Sequence, residues 1–329
     1  MSRTKAKGNN PKNWEVIPLI AILILVPLIV YIKIKYLSGY VYEGWTGAKD
    51  YVDFYGYWKS RALLVSTLFA VILFLVKLYK EGIKDKRNLL YGIPLFFYAM
   101  FIIISAYYSK YPIIAYDGAL DRNEGMFVLL AYCFICFYAI SISNTMQKVR
   151  YIINALMITS SIIFIIGIFQ YMGMDLYKSP FGQMLMLGDK YEMLKSTISF
   201  TISNNAIYAT LFHYNYVGSY IALVIPVFLI VTIFIKDKKM RLYCAPVLIL
   251  GLFVLVLSYG RSGLIGFGFS MLVFLLLVFK VVKKDKRILV FVISSFAIVV
   301  IAGVMLMTTF SDRYATTKNE ILKIINSFS

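Results

Sequence analysis

Long apolar runs dominate the chain, separated by short stretches that are charged or rich in turn residues. Nine of these runs, near residues 16–37, 61–79, 89–108, 126–143, 151–172, 214–235, 242–259, 262–280 and 288–308, are long enough to cross a bilayer as helices. The criterion is about 20 residues at about 1.5 Å each, for a hydrocarbon core about 30 Å thick. Lipid offers the backbone no hydrogen bonds, so each run must satisfy its amides within its own segment. The pattern predicts an all-α fold, a polytopic transmembrane helix bundle that makes a single membrane-embedded domain of residues 1–329. Composition agrees, with 60% hydrophobic residues, 17% aromatics and a mean hydropathy of +0.77.

Charge changes the picture by giving it sides. A formal charge of +18 would point to nucleic acid in a soluble protein. Here the basic residues crowd into residues 3–12, 77–87, 148–150, 236–241 and 280–287. Alternating helices bring all five stretches to one face, which the positive-inside rule makes cytoplasmic. The expected partner is the lipid bilayer of the cell (cytoplasmic) membrane, crossed many times, and not nucleic acid. Residues 1–15 become a cytoplasmic tail, 173–213 an extracytoplasmic loop, and 309–329 the start of an outer loop, with the carboxy terminus outside. The basic leader MSRTKAKGNNPKNW precedes an apolar run too long for a signal peptide and without a small-residue cleavage site, so the first helix is retained. Cys133 and Cys136 in CFIC sit inside an apolar run and read as small packing residues, not a redox pair.

Arg61, Arg122, Arg261 and Arg313 fall at helix ends on the opposite, outer face. Any one alone reads as an interfacial anchor. Arg261 has a further context. Residues 242–280 as one helix would be about 60 Å long, so the chain must reverse within it. Tyr259-Gly260-Arg261-Ser262-Gly263 is the turn chemistry available, with Ser262 expected to cap the next helix. Arg261 then stands beside a helix amino terminus, where an anion would satisfy both the free amides and the guanidinium. Ser262, Gly266 and Ser270 add a small-residue stripe that favours close helix packing.

Two other outer stretches stand out. AYDGALDRNEGMF, residues 115–127, sets Asp117, Asp121, Arg122 and Glu124 between two glycines, with Asn123 expected to cap the following helix. Its acids can also simply pair with Arg122 in solvent. TLFHYNYVGSYIALVIP, residues 210–226, leads into a helix that contains Pro226 and carries His213, the only histidine.

Taken in order, DGALDRNEG, HYNYVGSYIALVIP and LSYGRSGLIGF resemble the O-antigen ligase and polymerase family, over roughly residues 115–280. These are multi-pass glycosyltransferases that act on polyprenyl-diphosphate-linked glycans. The resemblance implies that Arg261 holds the lipid diphosphate, with Ser262 and Gly263 in its turn, and that Arg122 lends electrostatic support. Asn215, Tyr216 and Gly218 match an N-Y-x-G that opens a family helix, and are implied to be groove or helix-entry residues.

The implied reaction is inverting glycosyl transfer from the polyprenyl-diphosphate-linked glycan to a glycan or lipid acceptor, in cell-surface polysaccharide assembly. Arginines would neutralise the leaving group, so no metal or other cofactor is implied. Ligase and polymerase share this chemistry and differ in acceptor. The family's general base is a histidine in a long outer loop after the segment that corresponds to residues 288–308. His213 does not match that position, and a lone histidine near an interface is more often structural. The chain is therefore expected to be the amino-terminal part of a longer member, inactive in transfer if it acts alone. A transporter or flippase of lipid-linked oligosaccharide, or a non-catalytic membrane subunit, are the alternatives. A transporter would show charged groups at mid-membrane depth and internal repeats, and the sequence has neither.

Overall fold

A computed structural model describes residues 13–37, 39, 41, 49–82, 86–197, 206–258, 260–282, 290 and 297. Among these, helix is nearly the only regular structure. The helices are α1 (Ile17–Leu28), α2 (Tyr57–Glu81), α3 (Lys86–Tyr107), α4 (Pro112–Asp117), α5 (Met126–Ile142), α6 (Met146–Tyr171), α7 (Pro180–Leu187), α8 (Tyr191–Leu194), α9 (Tyr214–Phe234), α10 (Lys238–Leu257) and α11 (Arg261–Val282). Five stretches, Tyr57–Lys80, Leu90–Tyr107, Met146–Tyr171, Tyr214–Phe234 and Lys238–Leu257, are long and apolar enough to cross a membrane. Asn13–Leu28, Met126–Ile142 and Ser262–Leu277 are shorter apolar helices. Their outer faces carry bare hydrocarbon: Leu68 is 61% exposed, Phe101 67% and Leu277 78%. Water would penalise so much exposed apolar surface, and lipid does not. This is the architecture of an all-helical membrane protein. The expected segment 288–308, Arg313 and the stretch 309–329 lie outside the described residues.

The described residues of 1–159 and 177–200 form one compact unit, and those of 160–176 and 201–329 form another. In the first unit, α2 packs against α1 and α5, and α3 against α5. Phe74, Phe134 and Tyr138 meet edge-on or stacked at its centre, beside Val16 and Ile142. One end of this unit holds a buried ion cluster. Glu15 accepts from Lys148 at 2.5 Å and from Lys77 at 3.2 Å, while Tyr138 donates its hydroxyl to the Glu15 carbonyl at 2.7 Å. Glu15 and Lys148 are each only 3% exposed, so each neutralises a charge that burial alone would make prohibitive.

The first expected segment is corrected here, because the helix within 16–37 stops at Leu28. Lys33–Tyr36 instead forms strand β1, antiparallel to β2 (Asp50–Asp53), with Lys33 opposite Asp53 and Tyr36 opposite Asp50. Pro27 leaves the helix short of an amide, and KIKY alternates with the period of a strand. Partners distant in sequence then hold the extended stretch. Tyr31 and Ile32 donate their amides to the Phe54 and Met186 carbonyls, Trp58 donates its indole N–H to the Ile32 carbonyl, and Lys59 binds the Pro27 carbonyl at the end of α1. The expected loop 173–213 contains the short helices α7 and α8, the first capped by the Ser179 hydroxyl, which accepts from Gly182 N at 3.1 Å.

In the second unit, α9 is the hub against which both α10 and α11 pack. Its inner face, including Val217, Ile221, Ile225, Phe228 and Leu229, is fully buried. Asp237 caps α10 by accepting from Lys239 N and Met240 N, so α9 and α10 form a hairpin with a three-residue connection.

Candidate functional site

The reversal forced by length occurs at residues 258–260. α10 ends at Leu257, and the Ser258 hydroxyl donates to the Leu255 carbonyl at 2.9 Å. Gly260 accepts the first bond of α11 at its carbonyl, from Leu264 N at 3.1 Å, and Arg261 is the first residue of that helix. Arg261 thus stands at a helix amino terminus, as its sequence context requires. Its side chain lies outside the described residues, as does Tyr259.

The capping expectation for Ser262 is corrected. The helix starts two residues earlier than a Ser262 cap would set it, so the Ser262 hydroxyl is free to point sideways. It donates to the Asn215 Oδ1 at 3.3 Å, joining the two motifs. Behind that bond the helices touch backbone to backbone. A Cβ on Gly263 would lie 2.5 Å from the Gly218 Cα, and one on Gly218 would lie 2.9 Å from the Gly263 Cα, so no larger residue fits either position. Further along, Gly266 faces Ala222. The successive pairs 215 with 262, 218 with 263 and 222 with 266 make α9 and α11 parallel. Their amino termini therefore lie side by side, and their dipoles add at one place. Of the small-residue stripe, Gly266 serves this contact directly.

His213 is the amino-terminal cap of α9, where its Nδ1 accepts from Asn215 N at 3.2 Å. Its carbonyl accepts from Tyr216 N and Val217 N, and its ring lies 3.9 Å from that of Tyr214. Tyr216 is exposed beside Phe212, their rings 6.3 Å apart. His213, Asn215, Tyr216, Gly218, Ser262 and Gly263 are thus gathered at the paired starts of α9 and α11. Pro226 lies within α9, whose helix continues past it.

What sequence reasoning missed is the loop that leads into this site. Ile207, Tyr208, Ala209 and Thr210 are all buried without being helical. Ala209 and Phe212 have φ of 45° and 75°, which side chains disfavour. Gln170, 2% exposed at the end of α6, holds the loop: its Oε1 accepts from Tyr208 N at 3.1 Å and Ala209 N at 2.7 Å. Its Nε2 donates to Asp175, whose other oxygen accepts the Tyr208 hydroxyl at 2.5 Å. The sequence signal was faint, a single amide at the end of an apolar run.

Arg122 belongs to the first unit. Its side chain is 62% exposed and its guanidinium is 3.9 Å from Asp121, a loose surface pair of little energy. Asn123, expected as a cap, is corrected too. α5 begins after Gly125 with no side-chain cap, while Asn123 sits at φ 56° and is buried. Its Nδ2 donates to Asp53 at 2.7 Å and its Oδ1 accepts from Lys35. Asp53 also accepts from the amides of Tyr55, Gly56 and Tyr57, which satisfies this buried carboxylate at the start of α2. Gly56 makes room, since a Cβ there would lie 2.5 Å from the Asn123 Nδ2. Burial holds the Lys35 ammonium below the usual lysine range, an effect that the nearby Asp53 partly offsets.

The fold and these contacts define a helical membrane protein whose second unit brings two helix amino termini together, with no carboxylate in the sequence at residues 206–218 and 258–266. No family model matches the chain, and neither curated proteins nor solved structures give a match.

Proposed function

We propose that the chain is a membrane glycosyltransferase of the O-antigen ligase or polymerase type, using polyprenyl-diphosphate-linked glycans in cell-surface polysaccharide assembly. In this reading it resides in the cytoplasmic membrane with nine spans and a cytoplasmic amino terminus, so that α9 and α11 both start on the outer face. The observation that carries it is the junction of the Asn215–Gly218 motif with the Gly260–Gly263 turn. Two adjacent helix amino termini, with an arginine at the first position of one, form an environment that favours a diphosphate. Each helix start contributes about 0.3–1 kcal/mol toward a nearby anion, and the Arg261 guanidinium adds charge-assisted bonds.

The acceptor hydroxyl attacks the anomeric carbon from the face opposite the diphosphate. As the new C–O bond forms, the bond to the diphosphate oxygen breaks and its electron pair passes to the leaving group. Arg261 and the helix starts stabilise that charge, and the acceptor's proton passes to water. His213 is not given the role of base, since its Nδ1 is engaged as the cap of α9. The test is Arg261→Ala, assayed for glycan transfer in membranes. A loss of about 100-fold or more is expected, on the scale of removing one donor to a developing anion. Transfer at the parental rate would sink the reading.

A further inference from the structure

We propose that Lys33, Lys35 and Arg61, gathered around Tyr57 in the first unit, bind a phosphate-bearing group. The Lys33 and Lys35 ammoniums lie 4.8 Å and 5.6 Å from the Tyr57 ring centroid, and the Arg61 guanidinium carbon lies 5.1 Å from it. The ring attracts each cation but neutralises none of them. The neighbouring carboxylates are mostly committed. Asp53 accepts from three backbone amides and from Asn123, and Asp117 reaches Arg61 at only 3.5 Å with both side chains half exposed. Lys35 is bound by neutral acceptors, the Asn123 amide oxygen and the Leu120 carbonyl. Lys33 has no ion pair among the described residues, and the Arg61 Nε is buried with no acceptor. Two ammoniums and a guanidinium whose charge is met only by neutral oxygens and one half-exposed carboxylate call for a small group with several charged oxygens. A phosphate offers three, arranged to meet a guanidinium fork and point charges together.

The phosphate can be free or carried by a lipid. An open apolar cavity of about 500 Å³, walled by Phe101, Ile102, Ala106, Ile114 and Leu129, uses the same 112–125 segment that supplies Asp117 and Asn123, so both sources are tested. Trp58, whose ring lies 5.1 Å from that of Tyr57, is the reporter once Trp14 and Trp45 are replaced by Phe. The full chain in maltoside micelles, which contain no phosphate, is titrated with pyrophosphate. In parallel it is titrated with phosphatidic acid, against diacylglycerol as the lipid without the phosphate.

The expected result is a saturable change in Trp58 emission in at least one phosphate arm and none with diacylglycerol. Response to pyrophosphate assigns a free anion, and response to phosphatidic acid alone assigns a lipid headgroup. Lys33→Met with Arg61→Met should weaken binding at least tenfold, and Lys33→Arg with Arg61→Lys should keep it within about threefold. Helical circular dichroism checks folding. If the double Met variant does not fold, Lys33→Met alone, which breaks no ion pair, should still weaken binding about threefold. No saturable response in either phosphate arm, an equal response to diacylglycerol, or parental binding by the Met variants overturns the proposal. Arg261→Ala should leave this binding unchanged, so the proposal and the transfer reading fail separately.

Discussion

The two units stabilise their polar ends by different means. The first uses side-chain charge: Glu15 is met by two lysines, and Asp53 by amides and Asn123. The second uses backbone: a glycine-to-glycine contact sets α9 on α11, and one neutral amide, that of Gln170, holds the loop beneath them. The difference bears on function. A buried carboxylate that meets lysines uses up their charge, whereas two helix starts packed through glycine keep their partial positive charge available to a ligand.

The contrast can be broken most strongly in the first unit. Glu15→Gln leaves Lys148 buried without its counter-ion and should cost about 3–5 kcal/mol, read as a large fall in the midpoint of thermal unfolding in detergent. The double variant Glu15→Leu with Lys148→Leu should recover part of it, because it removes the fully buried pair and leaves only Lys77, whose side chain is 19% exposed, to find solvent. A Glu15→Gln protein as stable as the parent would show that the cluster is not the anchor described here.

Gly263→Val comes next. Its Cβ would overlap the Gly218 backbone, so α11 must shift at a cost of about 1–3 kcal/mol. Crosslinking between cysteines placed at positions 222 and 266 should fall in step with stability, and unchanged crosslinking would argue against the parallel contact. Gln170→Leu is the mildest of the three where the loop can relax. It orphans the amides of Tyr208 and Ala209 at about 1–3 kcal/mol for whatever stays buried. Hydrogen exchange at residues 207–210 should quicken more than exchange within α9, and uniform exchange across both would place the support elsewhere.

Most of the fold was legible because a bilayer imposes one length on every crossing. α2, α3, α5, α6, α9, α10 and α11 fall within a few residues of the apolar runs that predicted them. α1 departs because what ends it is not local: Pro27 weakens the helix, but Phe54, Met186 and Trp58 hold the strand that follows. At the site, counting length located the reversal and the place of Arg261. It could not reveal that Asn215 meets Ser262, since periodicity says nothing about which helices become neighbours. Ser262 and Asn123 were misread for a shared reason. Both have the chemistry of caps, and both direct it instead to a partner far along the chain, at Asn215 and at Asp53. Gln170 left almost no trace, because a buried amide is recognised by the backbone it binds, here some 38 positions away.

The parallel contact of α9 with α11 also has a consequence for synthesis. α9 emerges first, and its glycine must wait until Gly263 appears, roughly 45 residues later, which takes a few seconds at ordinary elongation rates of about 5–20 residues per second. Until then its amino terminus has α10 as a hairpin partner but no second dipole. The paired helix starts are therefore a late product of assembly, and any arrest of the growing chain before Gly263 would leave the hairpin of α9 and α10 with a single helix start at that end.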